Sequence, residues 1–132
     1  MTETKKTKKE TKPKTSKKRE EIVLDAKGKI LGRLATEAAY YLQEKHSPAF
    51  RPNIDEGTVV RVKNARKIKV TGNKSSDKIY WSYSGYPGGI YGRTFEEVFE
   101  KYPDRVIRSA VKGMLPKNRM QKPRLKRLII EE

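Results

Sequence analysis

The sequence predicts a compact α/β domain behind a lysine-rich tail. Between residues 22 and 71, strand-like, helix-like and strand-like segments follow one another, which is the order of a parallel βαβ unit with a right-handed crossover. Two later segments have helical periodicity, and 132 residues suffice for one hydrophobic core. We therefore expect one domain over residues 22–130.

The first 21 residues contain nine Lys or Arg, four Glu and no apolar residue after Met1. Such a segment cannot bury enough surface to offset the entropy of ordering, so we predict a disordered tail. It is either a solvated tail that aids solubility or a basic arm that orders on nucleic acid.

The first predicted strand spans residues 22–25, and residues 26–29 supply a turn. In the helix that follows, Lys45 and His46 occupy the predicted last turn and Ser47-Pro48 ends it. Its apolar face consists of Leu31, Leu34, Ala35, Ala38, Ala39 and Leu42. Residues 58–63 and 67–71 are predicted strands.

Residues 79–83 alternate in polarity, as a strand does. We expect Ile79, Trp81 and Tyr83 to pack inward on one face. Tyr80 and Ser82 would then face solvent or RNA.

Thr94 and Glu97 form a capping box that opens a short helix, which Pro103 closes. Its apolar face is Phe95, Val98, Phe99 and Tyr102. A second helix is predicted over residues 104–114, with a core face of Val106, Ile107, Ala110, Val111 and Met114. Arg105, Arg108 and Lys112 form a basic ridge opposite. Residues 128–130 are again strand-like.

The distribution of charge indicates a polyanionic partner. The chain has 32 Lys and Arg against 16 Asp and Glu, a net charge of +16. Residues 105–127 contain nine of the basic residues and no acidic one. This concentration is typical of proteins that neutralise a nucleic-acid backbone, so we expect residues 105–127 to be a basic arm that binds one.

Several other classes of function are disfavoured. The chain has no cysteine and one histidine, which excludes thiolate metal sites and makes an imidazole zinc site improbable. The nearest sequence to a phosphate-binding loop, GNKS at residues 72–75, lacks the upstream glycine and the adjacent Gly-Lys pair. No apolar run is long enough to span a bilayer. We expect no metal, no cofactor, no small-molecule substrate and no membrane partner.

Residues 79–94 hold five of the eleven aromatic residues and four of the nine glycines. Glycine permits close approach of a backbone, and aromatic rings stack on unpaired bases. The segment is therefore predicted to contact RNA, with some of its rings in the core.

Six segments are distinctive when taken together and in this order: LDAKGKILGRLAT (24–36), KHSPAFRP (45–52), VKNA (62–65), VTGNK (70–74), SGYPGGI (84–90) and VKGMLPKN (111–118). With these segments the chain resembles the bacterial-type ribosomal protein L13 family of the large subunit. The resemblance covers about residues 22–130. It implies a three-layer α/β/α sandwich around a small, mostly parallel four-stranded sheet.

The resemblance also implies a structural, non-enzymatic role: binding of large-subunit rRNA, support of early subunit assembly and contact with neighbouring ribosomal proteins, on a cytoplasmic or organellar ribosome. No homo-oligomer is expected. Charge and resemblance together give these candidate RNA-binding residues: Arg33, Lys45, His46, Arg51, Lys74, Tyr83, Gly85, Gly88, Gly89, Arg105, Arg108, Lys112, Lys117, Arg119, Lys122, Arg124, Lys126 and Arg127.

Two other functions stay open at this point. One is a small nucleic-acid-processing enzyme in which Asp55, Glu56 or His46 works with a metal. The other is a regulatory protein that binds a particular messenger RNA. The charge of the sequence alone does not distinguish either alternative from the ribosomal role.

Overall fold

A computed structural model describes residues 20–131 as an α/β protein with two small sheets. The strands are β1 (Glu21–Asp25), β2 (Val59–Lys63), β3 (Ile79–Tyr83), β4 (Ile90–Thr94) and β5 (Leu128–Ile130). The helices are α1 (Leu31–Leu42), α2 (Lys74–Asp77), α3 (Phe95–Lys101), α4 (Pro103–Met114) and α5 (Gln121–Lys126).

The main sheet is parallel, with the order β1-β2-β5. Helix α1 joins the adjacent parallel strands β1 and β2, which confirms the predicted βαβ unit. Leu24, Val60, Val62 and Leu128 point into one core, where Leu34, Leu42, Ile107 and Val111 meet them. Burial of these side chains out of water holds α1 and α4 against the sheet.

The prediction of a four-stranded sheet is wrong, because the main sheet has three strands within the described residues. Residues 67–71 contribute one isolated parallel bridge, between Lys69 and Ile30, and Ala65–Lys67 forms a single 3-10 turn. Asn64 has a φ of 58°, in the left-handed region, which turns the chain out of β2 before another strand can form.

Within residues 20–131, no helix covers the second face of the main sheet, as a three-layer sandwich would require. Val23 and Ile129 are 52% and 37% exposed there within the described residues. Between them Arg61 donates to the carboxylates of Glu21 and Glu131, which raises the pKa of its guanidinium, chiefly through the bond to Glu21.

The predicted tail, residues 1–21, falls mostly outside the described residues. Its last two members do not fit the prediction, because Glu21 begins β1 and Glu20 accepts a hydrogen bond from His46. Glu21 is ordered because it pairs with Val59 of β2, and strand pairing satisfies backbone hydrogen-bonding groups. The sequence pattern alone does not reveal this distant partner.

Helix α1 ends at Leu42, earlier than predicted, so Lys45 and His46 lie outside it. Glu44 has a φ of 62°. Its carboxylate accepts hydrogen bonds from the backbone N–H groups of Glu56, Gly57 and Thr58. These bonds compensate for the unusual backbone conformation that stops the helix.

Helices α3 and α4 follow the prediction closely. The Thr94 hydroxyl accepts the Glu97 N–H, which confirms the N-cap bond of the predicted capping box, and Pro103 both ends α3 and occupies the first turn of α4. Tyr102 and Met114 are exposed, contrary to the core positions predicted for them.

Residues 105–127 do not form a separate arm. They comprise most of α4, a turn and α5, and they place Val106, Ile107, Val111 and Leu115 in the core. No helix within residues 20–131 is long and apolar enough to cross a bilayer.

Candidate nucleic-acid interface

The antiparallel hairpin β3–β4 carries most of the aromatic residues of the 79–94 segment. Backbone hydrogen bonds from Ser84 to Gly89 and from Gly89 to Tyr86 close its turn. Gly85 and Gly88 take φ values of 91° and 73°, which favour glycine. The segment is therefore a folded hairpin with two faces, and it does not form a phosphate-binding loop.

The predicted orientation of β3 is reversed. Tyr80 is partly buried, with its ring stacked 6.4 Å from that of Phe95, whereas Ile79, Trp81 and Tyr83 are exposed. The reason is the position of α3, because Phe95 and Val98 supply an apolar surface on the Tyr80 side only. Burial also raises the pKa of the Tyr80 phenol.

The Tyr80 face of the hairpin and helix α4 enclose a cleft of about 370 Å³, which we call the basic groove. Its polar lining is Tyr80, Ser82, Tyr91, Arg93, Arg105, Ser109 and Lys112. A second cleft shares Arg93 and Arg105 and adds Lys101, together with one acidic residue, Glu97. Four cations thus line these two neighbouring clefts.

Two aromatic rings that line the basic groove each lie near a cation. The Arg93 guanidinium lies 5.9 Å from the centroid of the Tyr91 ring, and the Lys78 ammonium lies 5.2 Å from that of Tyr80. Cations bind phosphates and rings stack on bases, so this combination suits an irregular or single-stranded RNA.

The basic ridge of α4 is divided between two surroundings. Arg105 and Lys112 face the groove with Ser109, at i, i+4 and i+7. Arg108 is displaced around the helix axis, where it donates to the carbonyl groups of Leu125 and Leu128 at 3.4 and 3.5 Å. Arg108 therefore also connects α4 to the turn between α5 and β5.

Two of the candidate residues have side chains within the body of the protein. Arg124 is 2% exposed, and its Nε and Nη2 atoms are buried without a hydrogen-bond partner. Arg127 donates to both carboxylate oxygens of Asp55 and to the Thr58 carbonyl group. Neither guanidinium is presented on the surface for RNA.

The remaining candidates lie elsewhere on the surface. Arg33, Lys45, Arg51, Lys74, Lys117, Arg119, Lys122 and Lys126 are exposed, and none of them lines the basic groove. Arg51 lies at a different cavity whose lining includes the carboxylates of Glu44, Asp55 and Glu56. These acidic groups make the loop around residues 47–56 less favourable for phosphate than the groove is.

His46 has a structural environment. Its Nε2 atom lies 3.0 Å from a carboxylate oxygen of Glu20, and its ring packs edge-on against Tyr41. Asp55 is paired with Arg127, so His46, Asp55 and Glu56 do not form the metal-assisted site that an enzyme would need. Residues 20–131 contain no cluster of three potential metal ligands from His, Cys, Asp and Glu.

The sequence did not single out Arg93 of the basic groove or Lys101 of the second cleft. Arg93 stands opposite Tyr80 in the β3–β4 register, so a correct hairpin pairing would have predicted their common face. The alternation of side chains along residues 90–94 could have predicted this face, provided that the turn at Gly85–Gly89 was recognised as a hairpin turn.

Comparisons with known proteins give consistent matches over most of the chain. The family model described as "Ribosomal protein L13" matches residues 19–130. A protein of Pseudomonas putida strain W619 is 57% identical over 107 residues, which cover 81% of this chain and 75% of that protein. One from Alkalilimnicola ehrlichii is 52% identical over 110 residues, with coverages of 83% and 78%. Both are named "Large ribosomal subunit protein uL13".

Proposed function

The chain belongs to the ribosomal protein L13 family, and on that premise we propose that it is a structural constituent of the large ribosomal subunit that binds large-subunit rRNA. It has no catalytic role. Its partners are rRNA and neighbouring ribosomal proteins, and its location is the cytoplasmic ribosome.

The observation that carries rRNA binding is the basic groove. Arg93, Arg105 and Lys112 converge there from two different elements, β4 and α4, with Tyr91 beside them. Lysine and arginine supply the attraction to phosphate that dominates affinity, and the folded framework fixes their spacing. Lys117, Arg119 and Lys122 extend the positive surface along the chain toward α5.

The finer elements of this function are also proposals. The protein supports early subunit assembly, because its rigid elements fix the relative positions of the RNA segments that it binds. The lysine-rich residues 1–19 add nine basic and two acidic residues to the sequence, and their ordering on RNA stays a prediction. No described feature favours a particular messenger RNA as the partner.

Binding of purified large-subunit rRNA at a series of salt concentrations tests the proposal. If roughly six phosphates are neutralised, the logarithm of the binding constant should fall with the logarithm of salt concentration at a slope of about −4 to −5. Sedimentation with salt-washed large subunits is the companion measurement. A flat salt response, or absence of the protein from the subunits, would contradict the proposal.

A further inference from the structure

The side of the β3–β4 hairpin that faces away from the basic groove is apolar and exposed. We call it the outer face and define it by Ile79, Trp81, Tyr83 and Ile90. The strand register sets Tyr83 opposite Ile90 and Trp81 opposite Gly92, so these side chains are neighbours across the hairpin. Trp81, Tyr83 and Ile90 are 68%, 65% and 66% exposed.

Gly92 shapes this face. A Cβ atom there would lie 2.6 Å from Cγ2 of Ile79 and 3.1 Å from the ring of Trp81. The absence of a side chain lets the indole lie across the backbone of β4. The outer face is consequently shallow, with its aromatic ring held close to the sheet.

Among residues 20–131, none that lines the depression on this face is charged; the lining is Trp81, Ser82, Tyr83, Gly88 and Ile90. That absence is unusual in a chain with 32 basic residues. Arg93, which belongs to the same hairpin, lies on the groove side with Tyr91. Trp81 borders both depressions, whereas Tyr83 and Ile90 line only the one on the outer face, away from Arg93.

The outer face is large enough to matter energetically. Aromatic side chains bury about 150–250 Å² each in an interface, so Trp81 and Tyr83 with the two isoleucines offer on the order of 400 Å². Contiguous apolar patches of that size on a soluble protein mark interaction sites. Depletion of charge and enrichment in aromatic residues describe the buried centre of a protein–protein interface.

We propose that the outer face docks against an apolar surface of a neighbouring large-subunit protein, while the basic groove on the other side of the hairpin binds rRNA. The inference rests on the proposed function. RNA is the less suitable occupant, because a stacked base brings phosphates that find no cation in this depression, and Ile79 and Ile90 offer no π face for stacking.

Tyr83 and Tyr91 make a matched pair for the test, since both are exposed tyrosines on opposite sides of one hairpin. Each is replaced in turn by the photo-crosslinking residue p-benzoylphenylalanine, in cells whose only copy of the protein carries the change. Purified large subunits are irradiated, and the linked molecule is identified by peptide or nucleotide mapping. We expect Tyr83→p-benzoylphenylalanine to link to a ribosomal protein and Tyr91→p-benzoylphenylalanine to link to rRNA.

A link from position 83 to rRNA alone, to a second copy of this chain or to its own residues would overturn the inference, as would no link at all. A different result would contradict the proposed function itself: neither variant would be found in the purified large subunit. A second measurement uses Ile90→Asn, a neutral change at an exposed site. It should leave the affinity for free rRNA within about twofold while lowering incorporation into subunits at least about tenfold in competition with the unmodified protein. Equal incorporation would overturn the docking proposal.

Discussion

Arg127 binds Asp55 through both terminal nitrogens of its guanidinium, across 72 positions of the chain. The same side chain donates to the carbonyl group of Thr58 and lies 3.9 Å from the carboxylate of Glu44. Glu44 in turn holds the backbone N–H groups of residues 56–58. This network fixes the loop before β2 to the end of α5.

Replacement of Arg127 tests whether this network is structural. Arg127→Met leaves two largely buried carboxylates without their cation, so we expect a loss of about 2–3 kcal/mol in the free energy of unfolding. Lys126→Met removes the same charge from an exposed neighbour and should cost less than about 0.5 kcal/mol. Urea denaturation measures both. Equal losses would show that Arg127 has no special structural role.

The pH dependence of stability should follow Glu44. Burial alone raises the pKa of Glu44, but hydrogen bonds from Glu56, Thr58 and Gly57 together with the charge of Arg127 outweigh it, so the pKa of this carboxyl lies below its usual value. A carboxyl group whose pKa is lower in the folded state than in the unfolded state stabilises the fold at any pH above its unfolded-state pKa. This stabilisation is lost as the pH falls through the folded-state pKa.

The test compares the unmodified protein with Glu44→Gln by urea denaturation from pH 7 to pH 2. At pH 7 we expect the substitution to cost about 2 kcal/mol, because hydrogen bonds to a charged acceptor are lost. Below about pH 4 the stability of the unmodified protein should fall more steeply than that of the variant, so the difference narrows. Parallel curves would mean that Glu44 does not titrate differently in the folded and unfolded states.

Arg124 presents the opposite case to Arg127, since its Nε and Nη2 atoms are buried and unpaired within residues 20–131. Burying N–H donors without acceptors is costly, so Arg124→Met should stabilise the free protein, by about 1–2 kcal/mol. Thermal unfolding of the free protein is the measurement. A marked loss of stability would instead reveal an electrostatic role for this guanidinium.

The sequence predicted the elements whose signals are local. The helical periodicity of residues 31–42, the cap at Thr94 and three of the core positions of α4 follow from neighbouring residues, and the structure confirms them. The three core positions are Val106, Ile107 and Val111. It did not predict what depends on distant partners. The inward face of β3 is set by Phe95 and Val98 of α3, and the role of Arg127 is set by Asp55.

The candidate interface shows the same division. Local spacing identified Arg105 and Lys112, but only the folded hairpin brings Arg93 to them. Charge counting treated residues 105–127 as one basic surface, although the side chains of Arg124 and Arg127 are largely buried within the protein. Net charge indicates the class of partner, whereas contacts between elements decide which cations are available to it.

Arg93 provides the sharpest test of the basic groove. Arg93→Gln should weaken binding of large-subunit rRNA by on the order of 1 kcal/mol and reduce the salt slope by about 1, because one phosphate contact is lost. Lys27→Gln makes the same charge change on the exposed turn after β1 and should have a smaller effect. Filter binding at several salt concentrations measures both. Indistinguishable effects would exclude a specific role for the groove.

Gly92 and Gly113 should respond in opposite directions to alanine. At Gly92 the new methyl group would meet Ile79 and the Trp81 ring, and the exposed indole can move away, so we expect a loss of about 1 kcal/mol. Gly113 lies in α4 with nothing within 4 Å of a built Cβ, so Gly113→Ala should gain about 0.5–1 kcal/mol through helix propensity. Because Trp81 is the chain's single tryptophan, its fluorescence should change in Gly92→Ala and stay constant in Gly113→Ala. Unchanged emission in Gly92→Ala would mean that the indole does not rest on the backbone of β4, and that the outer face is not shaped by this glycine.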